Sequence, residues 1–458
     1  MTDAAHPGRR RTVLVLVEPV LLFAALLALA VLEGSAPDGR LAARGLLAVL
    51  VVQLCLYYGD LYGLQALRSR TEFLVRLGRG LAMAVAALSL VYYLLPSLAL
   101  GRALLLAYLP LAALTVLAWH TLYRWLGGHE ALRDTVLILG TGHAAQQIAV
   151  EMLRRAPLGY RVAGFLGEHP AEVGRRLVNP SVVGTLRDLP ALVDALKVST
   201  IVVALEDRRG RLPVEELLRC RVSGLKVEDG PSFYEQLTGK ILLSDLRPSW
   251  LVFSPGFTKP RRLMRATKRA SELVIAVVLL LVLSPLLALL VLLIRLDSPG
   301  PALYRQPRVG LRGGVFDLLK LRTMRWQAEA ATGPVWTSSR ADARITRLGR
   351  WLRKLRLDEL PQLVNIVRGE MSFVGPRPER PHFVEQLRKV IPYYDERHTA
   401  QPGITGWAQV KFGYGSTIED SERKLQFDLY YIKNMSLLLD LAIVLDTFKV
   451  MVVGRGAR

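Results

Sequence analysis

The sequence predicts a three-part membrane protein: an α-helical N-terminal bundle, a central Rossmann-like, doubly wound α/β domain, and a mostly helical C-terminal part held by a re-entrant membrane helix. Three observations carry this reading. Long apolar runs recur up to Trp119, a β-branched run followed by Gly140-Thr-Gly142 opens at Thr135, and a further apolar run from Leu273 to Ile294 is interrupted by Ser284-Pro285. At 458 residues and 51% hydrophobic content, the chain exceeds one ordinary domain and is too apolar to be wholly water-soluble. A formal charge of +21 fits anionic lipid or phosphorylated substrates. No zinc-finger, aromatic RNP or basic-zipper pattern accompanies the charge, so nucleic acid is not an expected partner. The two cysteines, Cys55 and Cys220, indicate neither a disulfide framework nor a thiolate metal site.

Residues 1–125 read as a four-span bundle. Val13 to Leu32, preceded by Arg9-Arg10-Arg11, is long enough to cross about 30 Å of hydrocarbon. Ala43 to Tyr58, Leu81 to Leu95 and Ala103 to Trp119 are the other spans. Arg68, Arg70, Arg76 and Arg79 fall between the second and third spans, and with the N-terminal arginines they place both ends of the bundle inside by the positive-inside rule. No Asp, Glu, Lys or Arg is expected deep within the spans, which argues against a transport path built on buried charge.

Residues 134–257 form the expected α/β domain. Thr135 to Leu139 is a strand, Gly140-Thr-Gly142-His143-Ala-Ala145 a phosphate-type loop, and Gln146 to Arg155 a helix. Further strands are expected at Tyr160 to Phe165, Thr200 to Ala204 and Gly224 to Val227, with a helix at Leu189 to Leu196. Gly140 and Gly142 are the candidate cofactor-binding residues. Ala145 replaces the third glycine, and no acid ends a second strand about 20 residues on, where a ribose partner would sit. The expectation is a regulatory or structural domain rather than a catalytic NAD site.

Residues 259–458 are the expected catalytic domain. The basic stretch Lys259, Arg261, Arg262, Arg265, Lys268 and Arg269 reads as a headgroup-level anchor. Proline bends a helix and removes a hydrogen bond. A straight crossing would export a basic domain, which the positive-inside rule disfavours, so residues 271–295 are expected to enter and return to the same face.

The chemistry concentrates between Arg344 and Pro378. Asp358 and Glu359 sit within a belt of arginines, followed by Gly375-Pro376-Arg377-Pro378. Adjacent helical residues project about 100° apart, so the two carboxylates can address two different atoms, such as a phosphorus centre and a metal. Arginine forks bind phosphate oxygens bidentately.

Together with Asp297-Ser-Pro299-Gly300-Pro301, Gln306-Pro-Arg308-Val-Gly310, Lys320-Leu-Arg322-Thr-Met324 and Pro402-Gly403-Ile404-Thr405-Gly406, these motifs resemble the bacterial sugar transferase family, the monotopic phosphoglycosyl transferases. The resemblance covers Lys268 to Val453, and the upstream bundle and α/β domain are similar to the large form of that family, the undecaprenyl-phosphate sugar phosphotransferases of exopolysaccharide and O-antigen synthesis. Glu370 departs from it, since the family more often has Asp there. The resemblance implies transfer of a sugar 1-phosphate from a UDP-sugar to undecaprenyl phosphate at the cytoplasmic face of the bacterial inner membrane. It further implies Asp358 as nucleophile, Glu359 as the Mg²⁺ ligand and Arg377 as a phosphate binder. Lys320 and Arg322 would add positive charge at the interface, Arg397 would reach the nucleotide, and Asp428 would support the metal or a basic residue. Tyr393, Tyr394 and Trp407 would cover the uracil or lie at the membrane interface. Dimerisation through the upstream domains is a further implication. The competing reading is a membrane-anchored, NAD-dependent nucleotide-sugar modifying enzyme; the absent Tyr-x-x-x-Lys pair and ribose acid count against it.

Overall fold

The computed structural model describes residues 7–34, 38–63, 69–128, 133–156, 159–207, 210–243, 246, 248–254, 256–257, 262–326, 344–413, 415 and 417–453, the side chains of 7–12, 249 and 452–453 excepted. The chain divides into two compact units, Met1–Thr238 and Gly239–Arg458. Among the described residues, five helices are long and apolar enough to cross a membrane. This is a multi-pass membrane protein.

Four of those helices lie in the first unit: α1 (Pro7–Leu32), α2 (Gly39–Tyr58), α3 (Arg70–Leu94) and α4 (Arg102–Gly128). Asp38 caps α2 by accepting from Leu41 N at 2.6 Å, and Ser69 caps α3. α1 buries Leu14, Glu18, Leu22, Leu26 and Ala30, while α4 buries Leu104, Tyr108, Ala112, Val116 and His120. Both seams run with a spacing of four residues, the interval that keeps side chains on one helix face. Two expectations are corrected here. Glu18 is fully buried within a span, where no charge was expected; its carboxylate accepts from the Tyr62 hydroxyl at 2.7 Å and meets His120 Nε2 at 3.1 Å. A buried carboxylate survives in such a place only with partners of this kind. In addition, α3 begins at Arg70 rather than near Leu81, so Arg70, Arg76 and Arg79 are helical and not in a connecting loop. Arg76 is buried and pairs with Asp60 at 2.6 Å and Glu72 at 2.9 Å. Arg68 and the side chains of Arg9, Arg10 and Arg11 lie outside the described residues.

The remainder of the first unit is a parallel five-stranded sheet. Its strands are β1 (Asp134–Leu139), β2 (Tyr160–Gly167), β3 (Val182–Thr185), β4 (Thr200–Val203) and β5 (Lys226–Asp229), in the order β3-β2-β1-β4-β5. Helices α5 (His143–Arg154), α6 (Leu189–Ala195), α7 (Val214–Val222) and α8 (Gly230–Thr238) connect and flank them. β1 is central, and its residues from Thr135 to Leu139 are all buried, which is why it reads as an unbroken apolar run. The Gly140–Gly142 loop leaves its carboxyl end between β2 and β4, where the strand order reverses.

The second unit begins earlier than the sequence boundary at 257 suggests. Ile241, Leu243 and Leu246 share a core with Phe383, Leu387, Leu425 and Leu429, and Ile241 N donates to Gln426 O. Short α9 (Pro248–Phe253) follows, then the 36-residue α10 (Arg262–Asp297). Lys259 and Arg261 lie outside the described residues. Arg262 and Arg265 are exposed, as a lipid anchor requires, but Lys268 and Arg269 are turned inward. Arg269 donates to the carbonyls of Ile366 and Val367, and Lys268 pairs with Asp440 at 2.5 Å and Glu272 at 3.2 Å. Anchoring by the whole basic stretch is therefore corrected.

α10 stays helical through Ser284 and Pro285. Before the proline, Ala276, Leu279 and Leu283 pack with Leu318, Leu363, Ile366 and Met371; after it, Leu286, Leu290 and Ile294 pack with Ala302, Leu321 and Leu352. The opposite face remains apolar and exposed, with Val278, Leu281, Val282, Leu289 and Leu292 outward.

A hairpin follows, β6 (Leu303–Val309) with β7 (Val315–Leu321), then α11 (Arg347–Lys354), a 3₁₀ turn at Leu357–Glu359 and α12 (Gln362–Arg368). β8 (Ser372–Val374) pairs in parallel with β9 (Gly403–Thr405) around α13 (Pro381–Val390), and α14 (Trp407–Phe412), α15 (Ile418–Lys433) and α16 (Leu437–Val453) complete the unit.

Candidate active site

Asp358 and Glu359 lie on the 3₁₀ turn between α11 and α12 rather than on an α-helix. The turn is set up by Arg356, whose left-handed backbone (φ 54°) ends α11 abruptly. With three residues per turn, neighbouring side chains still point in different directions, so the expected division between two targets is preserved. Pro361 then leads into α12.

The two carboxylates have opposite electrostatics. Asp358 is 9% exposed. Burial raises its pKa above the usual aspartate range, with Glu359 adding to the rise and Lys320 and Arg353 opposing it. For Glu359, burial pushes upward too, but Arg377, Lys320 and Arg356 together outweigh it and hold the group below the ordinary range. Arg377 donates to Glu359 Oε1 at 3.2 Å, Arg356 stands 3.7 Å from Oε2, and Lys320 Nζ stands 4.0 Å from Oε1. Burial in turn lowers the pKa of Lys320, against the pull of Glu359. The turn thus presents a fixed anion beside a carboxyl that holds its proton more tightly.

Beside this group is a small cleft lined by Arg308, Lys320, Gln362, Arg377, Pro378 and Gly403. Arg377 reaches it because β8 and β9 approach closely. Gly375 N donates to Thr405 O at 2.9 Å, and a Cβ on Gly375 would overlap the carbonyl of Gln401. Arg308 braces the following loop by donating to Pro378 O at 2.9 Å and to Gln306 Oε1. Burial lowers its pKa to about 10, so it remains cationic at neutral pH.

Asp358, Glu359, Lys320 and Arg377 are brought together; the other sequence candidates are not. The Arg322 guanidinium is buried and spent on the carbonyls of Ser298 at 2.6 Å and Pro299 at 2.8 Å, where it fastens the end of α10 to β7. Arg397 is also buried. It donates to Asp428 at 2.8 Å, to the Tyr394 hydroxyl at 2.6 Å and to the main-chain carbonyl of Arg377 at 3.0 Å. Its contacts fix the Arg377 backbone instead of reaching into the cleft. Burial lifts the Asp428 pKa to about 6 against the pull of Arg397. Tyr394 belongs to the core, and Trp407 stacks on Tyr430 while donating to Gly239 O at 2.7 Å, so neither is a free lid for a base. Gly140 and Gly142 belong to the first unit. Sequence reasoning assigned no role to Arg308, Arg356 or Gln362. Arg308 lay inside a recognised motif, and Arg356 and Gln362 flank the Asp358–Glu359 pair in sequence; the fold sets Arg356 against Glu359 and Gln362 in the cleft lining.

Among the described residues, no cluster of three His, Cys, Asp or Glu side chains could hold a metal by itself. Mg²⁺ commonly takes one or two carboxylates and completes its shell with phosphate and water; the turn offers two adjacent carboxylates, that of Glu359 being shared with Arg377, Arg356 and Lys320.

Comparison with known proteins places this geometry in context. Residues 263–454 match the family described as bacterial sugar transferase, and residues 58–223 match a family described as a CoA-binding domain. The UDP-glucose:undecaprenyl-phosphate glucose-1-phosphate transferase of Escherichia coli (strain K12) is 34% identical over 334 residues, covering 71% of this chain and 69% of that one. The enzyme of the same name from Caulobacter vibrioides is 45% identical over 208 residues, 44% of this chain and 77% of that one. The UDP-N-acetylgalactosamine-undecaprenyl-phosphate N-acetylgalactosaminephosphotransferase of Aeromonas hydrophila is 39% identical over 242 residues, covering 53% of this chain, and the match spans 56% of that relative's length. The turn, the cleft and the membrane helix all fall inside residues 263–454, and with identity sustained across two thirds of a full relative, the chain belongs to the bacterial sugar transferase family.

Proposed function

We propose that the protein transfers a sugar 1-phosphate from a UDP-sugar to undecaprenyl phosphate in two steps through a phosphosugar held on Asp358, opening exopolysaccharide, capsule or O-antigen assembly at the cytoplasmic face of the inner membrane. The observation that carries this is the pairing of a buried carboxyl, Asp358, with a fixed anion, Glu359, at a cleft rimmed by Arg308, Lys320 and Arg377. In the first step an Asp358 oxygen attacks the sugar-linked phosphorus of the donor. The bond from that phosphorus to the bridging oxygen breaks, and UMP departs with the electron pair. In the second step a phosphate oxygen of the lipid attacks the same phosphorus, and Asp358 leaves as a carboxylate. A carboxylate nucleophile splits one transfer between water-borne and membrane-borne substrates into two. Arg377 and Lys320 offset charge as it shifts in each transition state. Mg²⁺, held by Glu359 and the donor phosphates, would supply further charge neutralisation.

The deciding experiment uses UDP-sugar radiolabelled in the sugar. Wild type should release UMP and retain label on the protein, and Asp358→Asn should do neither. A labelled Asp358→Asn adduct would transfer the role of nucleophile to another group.

The same proposal places both ends of α10 on one side of the membrane. Support comes from its packing, since residues on both sides of Pro285 rest on the same catalytic body. Single cysteines at Asp134 and Arg312 should then be labelled from the same side by an impermeant maleimide. Labelling from opposite sides would establish a full crossing.

A further inference from the structure

The family match over residues 58–223 carries the description of a CoA-binding domain, and the fold places the expected phosphate site at the Gly140–Gly142 loop, ahead of α5. Such a site works by offering a pyrophosphate unpaired N–H and hydroxyl donors in a space that glycine leaves open. Here the protein's own carboxylates engage the loop hydroxyl and stand in the space at Gly142.

Glu172, just beyond β2, accepts from the Thr141 hydroxyl at 3.0 Å, from Glu168 N at 2.9 Å and from His169 N at 3.4 Å. One side-chain carboxylate therefore gathers a loop hydroxyl and two successive backbone donors. Burial opposes its charge, but those donors and His169 hold its pKa below the usual glutamate range, so it is an anion at neutral pH. Glu206, just beyond β4, fills the other side. A Cβ placed on Gly142 would stand 2.7 Å from Glu206 Cδ and 2.9 Å from its Cγ, so the space opened by that glycine is already taken. Gly140 has φ 113° and no room for a Cβ against the Ala204 carbonyl. Its conformation serves close packing of the β1 and β4 ends. Arg211, between β4 and α7, pairs with Glu168, just beyond β2.

We propose that the loop is liganded from within: the Glu172 carboxylate, backed by Glu206, stands where a nucleotide pyrophosphate would lie, and the α/β domain takes neither CoA nor a dinucleotide there. A pyrophosphate would have to displace one anion and lie against a second, and like charges that close repel. Gly142 permits close approach by a side chain of the same domain, and Gly140 by the backbone of the β4 end, rather than by a ligand.

The test uses the full chain in detergent, with saturating UMP and Mg²⁺ added to fill any nucleotide site in the second unit. CoA and inorganic pyrophosphate are titrated calorimetrically into wild type, into Glu172→Ala combined with Glu206→Ala, and into Glu206→Ala alone in case the double variant does not fold. The expected result is no saturable binding by wild type into the millimolar range, and at least a tenfold gain in pyrophosphate affinity when the carboxylates are removed. Wild type binding either ligand as tightly as the variants would overturn the proposal.

Discussion

Two glycine-lined places in this chain carry opposite charge. The Gly140–Gly142 loop presents two carboxylates, Glu172 and Glu206, to the space a phosphate would use. The cleft beside Asp358 presents Arg308, Lys320 and Arg377, with Glu359 held among them. The glycines that allow close backbone approach occur in both, at Gly140 and Gly142 in one and at Gly375 and Gly403 in the other. The comparison teaches that a glycine turn provides access and nothing more. The sign of the charge set around it decides whether an anionic substrate can enter.

The largest effect should come from removing the positive side of the cleft. Arg377→Ala is expected to lower kcat by on the order of 10²–10³-fold, the size of losing one preorganised donor to developing charge. If single-turnover kinetics showed only a raised KM, Arg377 would be a binding group without a transition-state role. A second experiment asks whether the cleft depends on its buried support. Asp428→Asn leaves the Arg397 guanidinium buried without its anion, so thermal or denaturant unfolding of the second unit should show a loss of about 3–5 kcal/mol. Because Arg397 holds the Arg377 carbonyl, turnover should fall with it; unchanged stability and turnover would show that the pair supports nothing.

The smallest effect is in the pH profile. Nucleophilic attack needs Asp358 ionised, and its pKa is raised by burial, whereas Glu359 is held low and stays anionic further into acid. The rate should therefore fall on the acid side as pH drops through a value above the ordinary aspartate range, not through one below it. Replacing Lys320 with methionine removes a cation that favours the Asp358 anion, so the acid limb should move to higher pH. A limb that moved lower would contradict the assigned electrostatics.

How much of this could be read in advance varied with the length of the signal. β1 and its glycine loop were legible because a buried parallel strand is a continuous apolar run with a sharp turn after it. β3 was not, since Val182–Thr185 is four residues long and contains a glycine. The β6–β7 hairpin also escaped, because β6 carries Arg305, Pro307 and Arg308 in place of clean alternation. α3 was read too short because its first turns are rich in arginine, and one of these, Arg76, is neutralised inside the bundle by Asp60 and Glu72. Glu18 was overlooked for a related reason: a single acid in an apolar run gives no hint of the tyrosine and histidine, far away in sequence, that accept it.

The sequence by itself determined that apolar helices, an α/β core and an adjacent Asp358–Glu359 pair are present, because each depends on contiguous residues whose periodicity or chemistry is local; the 3₁₀ turn that carries the pair came only with the fold. Only tertiary structure decided what the charged side chains do. Arg322 and Arg397 have the same chemistry as Arg377, yet burial turns them onto carbonyls and onto Asp428, and leaves Arg377 at the cleft. Lys268 looks like a lipid anchor in sequence but is an internal ion pair once α16 brings Asp440 beside it. A charge acquires its function from what packs against it, since the cost of desolvation and the partners that offset it are set by residues distant along the chain.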